Sequence, residues 1–351
     1  MSATVPKTMR ALITQPEKKA VVKEVPVPSI TDDEILVKVA AVAQNPTDWK
    51  FVEFVQNHGT ICGCDWAGNV VQVGKNVTTY AVGDHAAGFH QGGSYTDRGA
   101  FAEYVKVEPD LAWKVPPGAL SHEEAATMGC AFWTAVQALF HPTRLGLAEP
   151  PKKASGNEWI FIYGGSSSVG LYAVQLARIA GYKVVTVASP RNHEVLKSLG
   201  ADAVFDYNDP DVIAKIKETT GDSLHVAFDT ISVHDSQVLT VKTFAPGPGK
   251  LIVIQQPEED AKKLNSKVTI QHTLIYTALG KELKLGNGYP ALPDDRAHMA
   301  QFLTKVPGLV SSGAIKPNPI KLWEGGLEAI PDGLLYMKEG KVTGEKIVYR
   351  V

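Results

Sequence analysis

The most constraining feature lies mid-chain, where Trp159-Ile160-Phe161-Ile162-Tyr163 runs directly into Gly164-Gly165-Ser166-Ser167-Ser168-Val169-Gly170. A continuous apolar run of this kind reads as a strand buried on both faces. The pattern then switches to helical spacing over Val169–Ala180. A glycine-rich turn between a buried strand and a helix presents backbone N–H groups, and the positive end of the helix dipole, to an anion. We expect Gly165, Ser166, Ser167, Ser168 and Val169 to hold a pyrophosphate. Ser167 or Ser168 stands where the usual fingerprint has its middle glycine. A serine gives up close backbone approach but offers a hydroxyl donor.

The rhythm that follows is strand, helix, strand, helix. Strands are expected at Lys183–Ala188, Ala203–Asp206, His225–Asp229, Lys250–Ile254 and Val268–Ile275, with a helix at Asn192–Leu199. Buried runs alternating with helices give a parallel, doubly wound sheet, so the fold class is α/β. The second strand carries the cofactor preference. A site for the unphosphorylated dinucleotide places an Asp or Glu at that strand's end to hold the ribose 2′-hydroxyl. Here the strand ends in Ala188-Ser189-Pro190-Arg191-Asn192-His193, with no acid. Ser189, Arg191 and Asn192, with Lys197 nearby, suit a 2′-phosphate, since Arg presents a fixed fork of donors. NADPH is therefore the expected cofactor. Ile254 ends a strand at the edge where such sheets bind ligands, so its backbone is expected near the nicotinamide.

The first third reads as a small, irregular β-barrel or sandwich. Short Val- and Ile-rich runs occur at Met9–Thr14, Ala20–Val25, Glu34–Ala43, Asn69–Val73 and Ala100–Val107, punctuated by Gly and Pro. Ser121-His122-Glu123-Glu124 is a capping box opening a helical stretch that runs to about Phe140. The tail holds a helical segment, Asp294–Val310, and strands at Pro317–Lys321 and Glu345–Val351; the last is expected to return to the first domain.

Composition excludes several function classes. A formal net charge of −2 on 351 residues gives no field for nucleic acid or an anionic membrane. Apolar runs are too short to cross a bilayer. The opening Met1-Ser2-Ala3-Thr4-Val5-Pro6-Lys7 lacks the apolar core of a signal peptide, so a cytoplasmic location is expected. Three cysteines, Cys62, Cys64 and Cys130, do not make a secreted disulfide scaffold.

Six segments in order carry a family resemblance: Asn45-Pro46-Thr47-Asp48-Trp49-Lys50, Gly63-Cys64-Asp65-Trp66-Ala67-Gly68, Val82-Gly83-Asp84, Gly99-Ala100-Phe101-Ala102-Glu103-Tyr104, the Gly/Ser loop, and Gly344-Glu345-Lys346-Ile347-Val348. Together they resemble the medium-chain dehydrogenase/reductases from about Met9 to the end. The chain is most similar to the quinone oxidoreductase and enoyl reductase branch, and within it to the fungal trans-acting enoyl reductases that work beside polyketide synthases. The resemblance implies a GroES-like catalytic domain, residues 1–126 and 280–351, built around a Rossmann NADP-binding domain, residues 127–279.

It also implies the site. Zinc alcohol dehydrogenases of this superfamily carry a Cys where this chain has Asn45, a His-Glu pair where it has Cys64-Asp65, and a Cys near Cys130. A catalytic zinc needs three protein ligands. Asn45 is a poor one, and Cys64 and Cys130 read more simply as small buried residues, so no metal is expected. Without a Lewis acid, reduction of an activated C=C bond asks least of the protein, namely positioning and donors aimed at an enolate oxygen. In similar enoyl reductases the residue matching Lys50 faces the nicotinamide ribose and the substrate, and the one matching Thr134 reaches the carboxamide or the substrate. Asn45 is expected to line the same pocket, and Tyr207 to lie by the adenosine phosphate. No motif tyrosine stands out as proton donor, so water is the expected source of the α-proton. Trp49, Phe89, Tyr95, Trp133, Tyr276 and Tyr289 are candidates to shape the substrate pocket, and the loops His90–Gly99 and Gly286–Pro293 to set its size.

The leading expectation is NADPH-dependent reduction of α,β-unsaturated carbonyl compounds, either free or as acyl thioesters on a synthase carrier protein. Quinone reduction is the alternative. An alcohol dehydrogenase and a non-catalytic NADPH-binding protein are more distant ones.

Overall fold

The computed structural model describes residues 5–55, 57–286 and 288–351. The first four residues of the quoted N-terminus and Asn287 of the 286–293 loop lie outside them.

The chain forms two compact units, Met1–Trp133 with Tyr276–Val351, and Thr134–Ile275. The first opens with an antiparallel hairpin, β1 (Thr8–Gln15) and β2 (Lys19–Pro26). It continues through β3 (Ile35–Ala43), α1 (Pro46–Lys50), β4 (Asp65–Val73), β5 (His85–Phe89), β6 (Tyr104–Val107), β7 (Ala112–Lys114) and α2 (His122–Ala126). Its last elements come from the far end of the chain.

The second unit begins within α3 (Cys130–Phe140). It then alternates β8 (Trp159–Tyr163), α4 (Ser168–Ile179), β9 (Lys183–Val187), α5 (His193–Ser198), β10 (Ala203–Phe205), α6 (Val212–Thr220), β11 (Val226–Asp229), α7 (His234–Lys242), β12 (Gly249–Val253), α8 (Glu259–Leu264) and β13 (Val268–His272). The chain then completes the first unit with α9 (Pro293–Leu303), α10 (Val306–Ser311), β14 (Ile320–Leu322), α11 (Ile330–Lys338) and β15 (Lys346–Arg350).

In the second unit six parallel strands lie in the order β10-β9-β8-β11-β12-β13. The order doubles back at β8, as in a doubly wound sheet. The apolar strands are buried here: Phe161, Val185, Val187, Leu251 and Val253 pack with Ile216 and Val241 from the helices and with Phe244 just after α7. Strands β8, β9, β10 and β12 all end at one edge of this sheet, and each is followed by a segment that the sequence marks for the cofactor.

The first unit holds a seven-stranded sheet ordered β14-β15-β3-β4-β5-β7, with β6 also pairing β3. The terminal strand β15 does return, pairing β3 antiparallel through Val348↔Ala43, Tyr349↔Val42 and Arg350↔Ala41. Strands β5 and β7 carry no expectation from the sequence. The capping box is present: Ser121 N–H donates to Glu124 Oε2 (2.8 Å) and Glu124 N–H to Ser121 Oγ (3.1 Å). The helix it opens is shorter than expected, ending at Ala126, and α3 starts anew at Cys130. Gly129 at the break packs directly on Asp65, since a Cβ there would lie 2.3 Å from Asp65 Oδ1. The tail helix likewise splits into α9 and α10. Among the described residues no helix is long and apolar enough to cross a membrane.

Candidate active site

In the first unit, helix α1 carries the Asn-Pro-Thr-Asp-Trp-Lys motif. Pro46 suits the first helical position because its missing N–H would have no intrahelical partner. Asn45 precedes it in extended conformation, and its N–H donates to Asp48 Oδ2 at 2.6 Å, tying the first turn back on itself. Lys50 is the last residue of α1, half-buried, its Nζ 5.8 Å from the centre of the Trp49 ring.

Beneath α1 lies a polar core. Thr47 Oγ1 and Tyr276 OH are 2.5 Å apart, and Tyr276 OH is 4.0 Å from Cys64 Sγ. Tyr276 is wedged between Phe89, stacked at 5.6 Å, and Phe51, edge-on at 5.6 Å, while Phe89 also meets Trp133 at 5.4 Å. Three of the six candidate pocket aromatics are therefore together. Trp49 pairs instead with Phe54 at 6.0 Å. Burial pushes Asp48 up to about 7 and drives the Cys64 thiol and the Tyr276 phenol well above their ordinary values. Cys64 and Tyr276 are neutral donors at physiological pH.

A cation is already present in this core. The Lys346 ammonium, on β15, is 1% exposed; it lies 2.8 Å from Asp65 Oδ2 and donates to Asn45 Oδ1 at 2.6 Å. Asp65 Oδ1 accepts the Cys130 backbone N–H at 2.6 Å. This donor set does not fit zinc. Asn45 and Asp65 are committed to an ammonium, and a dication would sit against that positive charge. Among the described residues no group of three His, Cys, Asp or Glu side chains is placed to hold a metal.

In the second unit the Gly/Ser loop joins β8 to α4. Gly164 takes φ +76°, a conformation that favours glycine. A Cβ on Gly165 would meet Thr186 Oγ1 at 2.3 Å, and one on Gly170 would meet Gly164 O at 2.2 Å, so both glycines allow contact that no side chain could. Ser167 caps α4: its Oγ accepts Gly170 N–H at 2.9 Å and is 2.8 Å from Thr230 Oγ1, which in turn donates to Tyr163 O at 2.8 Å. Ser167 thus holds the loop in shape through its side chain, while Ser166, Ser168 and Val169 stay half-exposed. A tight glycine turn capping a twelve-residue helix fits a pyrophosphate.

The turn after β9 presents half-exposed Ser189 and Asn192 and exposed Arg191. Tyr207, after β10, is 41% exposed and its OH is 3.4 Å from Ser189 Oγ, which brings two of the predicted residues together. The first acid beyond the turn, Glu194, pairs with Lys197 at 2.9 Å. Ile254 follows β12, and its N–H donates to Ser232 Oγ at 2.8 Å. Thr134 lies on α3, 6% exposed. Lys346, Thr230 and the Thr47–Tyr276 contact carry no expectation from the sequence. The cue for the last was Thr47 inside the Asn-Pro-Thr-Asp motif; a buried lysine gives no local cue.

The alcohol dehydrogenase GroES-like domain family matches residues 31–117, and the zinc-binding dehydrogenase family matches residues 168–284. Trans-enoyl reductase ACTTS2 of Alternaria alternata is 39% identical over 98% of this chain and 99% of its own length. The chain belongs to the medium-chain dehydrogenase/reductase superfamily, in its enoyl reductase branch. Trans-enoyl reductase mycC of Thermothelomyces thermophilus is 33% identical, covering 99% of this chain and 98% of its own. The quinone oxidoreductase from Coxiella burnetii shares the fold, with a TM-score of 0.72 at 24% identity over 98% of this chain and 100% of that one. As a medium-chain dehydrogenase/reductase the chain is an oxidoreductase that works with a nicotinamide cofactor. Its first unit is the GroES-like sheet of the family and its second the Rossmann sheet.

Proposed function

We propose that this enzyme reduces the C=C bond of α,β-unsaturated carbonyl compounds with NADPH, in the cytoplasm, acting on free enals and enones or on enoyl thioesters borne by a polyketide synthase carrier protein. Residues 1–126 and 280–351 are the catalytic domain of this reading and 127–279 its NADP-binding domain. The observation that carries it is full-length similarity, at 39% identity, to a protein named a trans-enoyl reductase.

The bound nicotinamide would supply a hydride to the β-carbon. Gly165, Ser166, Ser167, Ser168 and Val169 would hold the pyrophosphate, and Ile254 backbone near the ring. Ser189, Arg191, Asn192 and Tyr207 would receive the 2′-phosphate, which the acid-free turn after β9 supports. Lys50 donates to the enolate oxygen or the nicotinamide ribose, and Thr134 to the carboxamide or the substrate. Asn45 acts from below by fixing α1. Phe89, stacked on Tyr276 and tilted against Trp133, forms the apolar cluster of the first unit that this reading assigns to the substrate, and water supplies the α-proton.

The test is NADPH and NADH oxidation against an enal, an enone, an acyl thioester and a quinone, with product analysis. The saturated carbonyl is expected, with NADPH preferred and Arg191→Ala eroding that preference. Lys50→Met is expected to lower kcat/KM about a hundredfold, as loss of one transition-state donor does. An alcohol as product, turnover of the quinone alone, or an unchanged Lys50→Met rate would overturn the reading.

A further inference from the structure

We infer that Lys346 is a positioning residue for catalysis, its buried ammonium holding the starts of α1 and α3 on the last strand of the chain. The inference rests on the function proposed above for Lys50 and Thr134.

Lysine is almost never fully buried unless it is paired, and here it is paired twice. One bond goes to Asn45 Oδ1 (2.6 Å), at the residue that starts α1; the other is the ion pair with Asp65 Oδ2 (2.8 Å). Asp65, 0% exposed, uses its other oxygen to accept the first N–H of α3, that of Cys130, at 2.6 Å. Gly129 leaves no gap at this joint, since a Cβ would collide with Asp65. Thus one ammonium fixes Asn45, one turn before Lys50 on α1, and through Asp65 it fixes the first turn of α3, which leads into Thr134.

A second set of bonds anchors the strand that delivers this charge. Tyr349 OH donates to Gln44 Oε1 (2.6 Å), Gln44 Nε2 donates to Gly333 O (2.8 Å), and Gln44 N–H donates to Ile347 O (2.9 Å). The Tyr349 hydroxyl occupies the space a Cβ on Gly333 would need, at 1.7 Å. Residues 44 and 45 are therefore gripped by β15 on both sides of their shared peptide bond. A structural ion pair alone would need only Lys346 and Asp65. The bond to Asn45 is the part that predicts an effect on α1.

The experiment compares wild type, Lys346→Met, and the double variant Lys346→Met/Asp65→Asn. The single variant strands a buried carboxylate and is expected to lose thermal stability. The double variant removes both charges, keeps an oxygen for the Cys130 N–H, and leaves Asn45 without its donor. We expect its melting temperature to recover toward wild type, while kcat for enone reduction stays about tenfold or more below wild type with KM shifted much less, as when positioning rather than binding is lost. Amide exchange of the cofactor-free proteins supplies a readout independent of turnover: residues 47–50 should exchange about tenfold faster in the double variant. Wild-type kcat together with wild-type exchange in the double variant would overturn the inference and leave Lys346 a structural partner of Asp65. A wild-type enzyme that turns over no activated alkene would sink the proposed function instead, and the exchange measurement would still decide the tie between Lys346 and α1.

Discussion

Asp229 closes strand β11 with a carboxylate that is fully buried and fully bonded. Its Oδ1 accepts the N–H groups of Ile231 (2.9 Å) and Ser232 (2.8 Å), and its Oδ2 accepts the Ser236 hydroxyl (2.6 Å). Burial outweighs these bonds and pushes the group up to about 6 from its ordinary 3.8. The folded state therefore holds its proton more tightly than the unfolded chain, and stability should fall as pH rises through the window from 3.8 to 6. Glu108 has the opposite sign. Burial pushes it up, but Lys281 (2.6 Å) and Arg98 (3.1 Å) bring it down to about 2. Its contribution is complete above 4.5 and is lost as pH falls toward 2. Asp229→Asn keeps the acceptor for both backbone N–H groups, and Ser236 can turn its hydrogen to Val233 O, 2.9 Å away. Urea melts from pH 4 to pH 7 should show stability falling less, or rising more, with pH in this variant than in wild type. Asp48, raised to about 7, keeps its own downward share, and His85 and His90, held down at about 4, keep their upward one. The gain at pH 7 should reach at most about 3 kcal/mol, the gap between 3.8 and about 6 at 1.36 kcal/mol per pH unit. An unaltered slope would remove Asp229 as its source.

At the scale of elements, the loop between β8 and α4 is the place where one atom decides. A Cβ on Gly170 would lie 2.2 Å from Gly164 O and 2.8 Å from Gly165 C, both backbone atoms that cannot swing away. Gly170→Ala is therefore expected to distort the turn, lower the melting temperature and weaken binding of the nicotinamide cofactor about a hundredfold. Ser167→Ala, which only loses the cap bond, should cost about 1 kcal/mol of stability. Nucleotide fluorescence titrations would reverse this view if Gly170→Ala bound as tightly as Ser167→Ala. This loop was legible in the sequence because its signal is local: an apolar strand, three glycines and the start of a helix within twelve residues. Other elements were not. His85–Phe89 reads His-Ala-Ala-Gly-Phe, with no β-branched residue, and becomes a strand because β4 and β7 pair with it on either side. The helix opened by Ser121 looks continuous through Phe140, yet it breaks at Gly129 to dock on Asp65, a contact 64 residues away in the chain. Lys346 sits in a short terminal strand, where a lysine ordinarily marks solvent. Only its distant partners reveal that it is buried. What escaped the sequence was non-local pairing, above all the polar contacts beneath α1.

Across the whole molecule, the two units depend on chain connectivity in different ways. The Rossmann unit is one continuous stretch, Thr134–Ile275, and its central pairs, such as Phe161↔Val185 and Phe161↔Ala227, all lie inside it. The GroES-like unit closes only when the last strand arrives. Strand β15 lies between β14 and β3, and its Lys346–Asn45 bond spans 301 residues of sequence. Long-range pairs of this kind form only after a large loop-closure cost is met, so they have no local substitute once removed. Deleting residues 346–351 takes away the strand between β14 and β3, the cation of Asp65 and the Tyr349 anchor of Gln44 together. Amide exchange should then rise by more than about a hundredfold in β3 and β4, while β8, β9, β11 and β12 keep their protection, because every bond of their ladder lies inside 134–275. The truncated protein should still bind the nicotinamide cofactor, since the Gly/Ser loop and the turn after β9 lie in the unit that stays folded, and it should show no reductase activity. Equal loss of protection in both units would mean that the Rossmann sheet draws its stability from the GroES-like unit, contrary to what its self-contained ladder predicts.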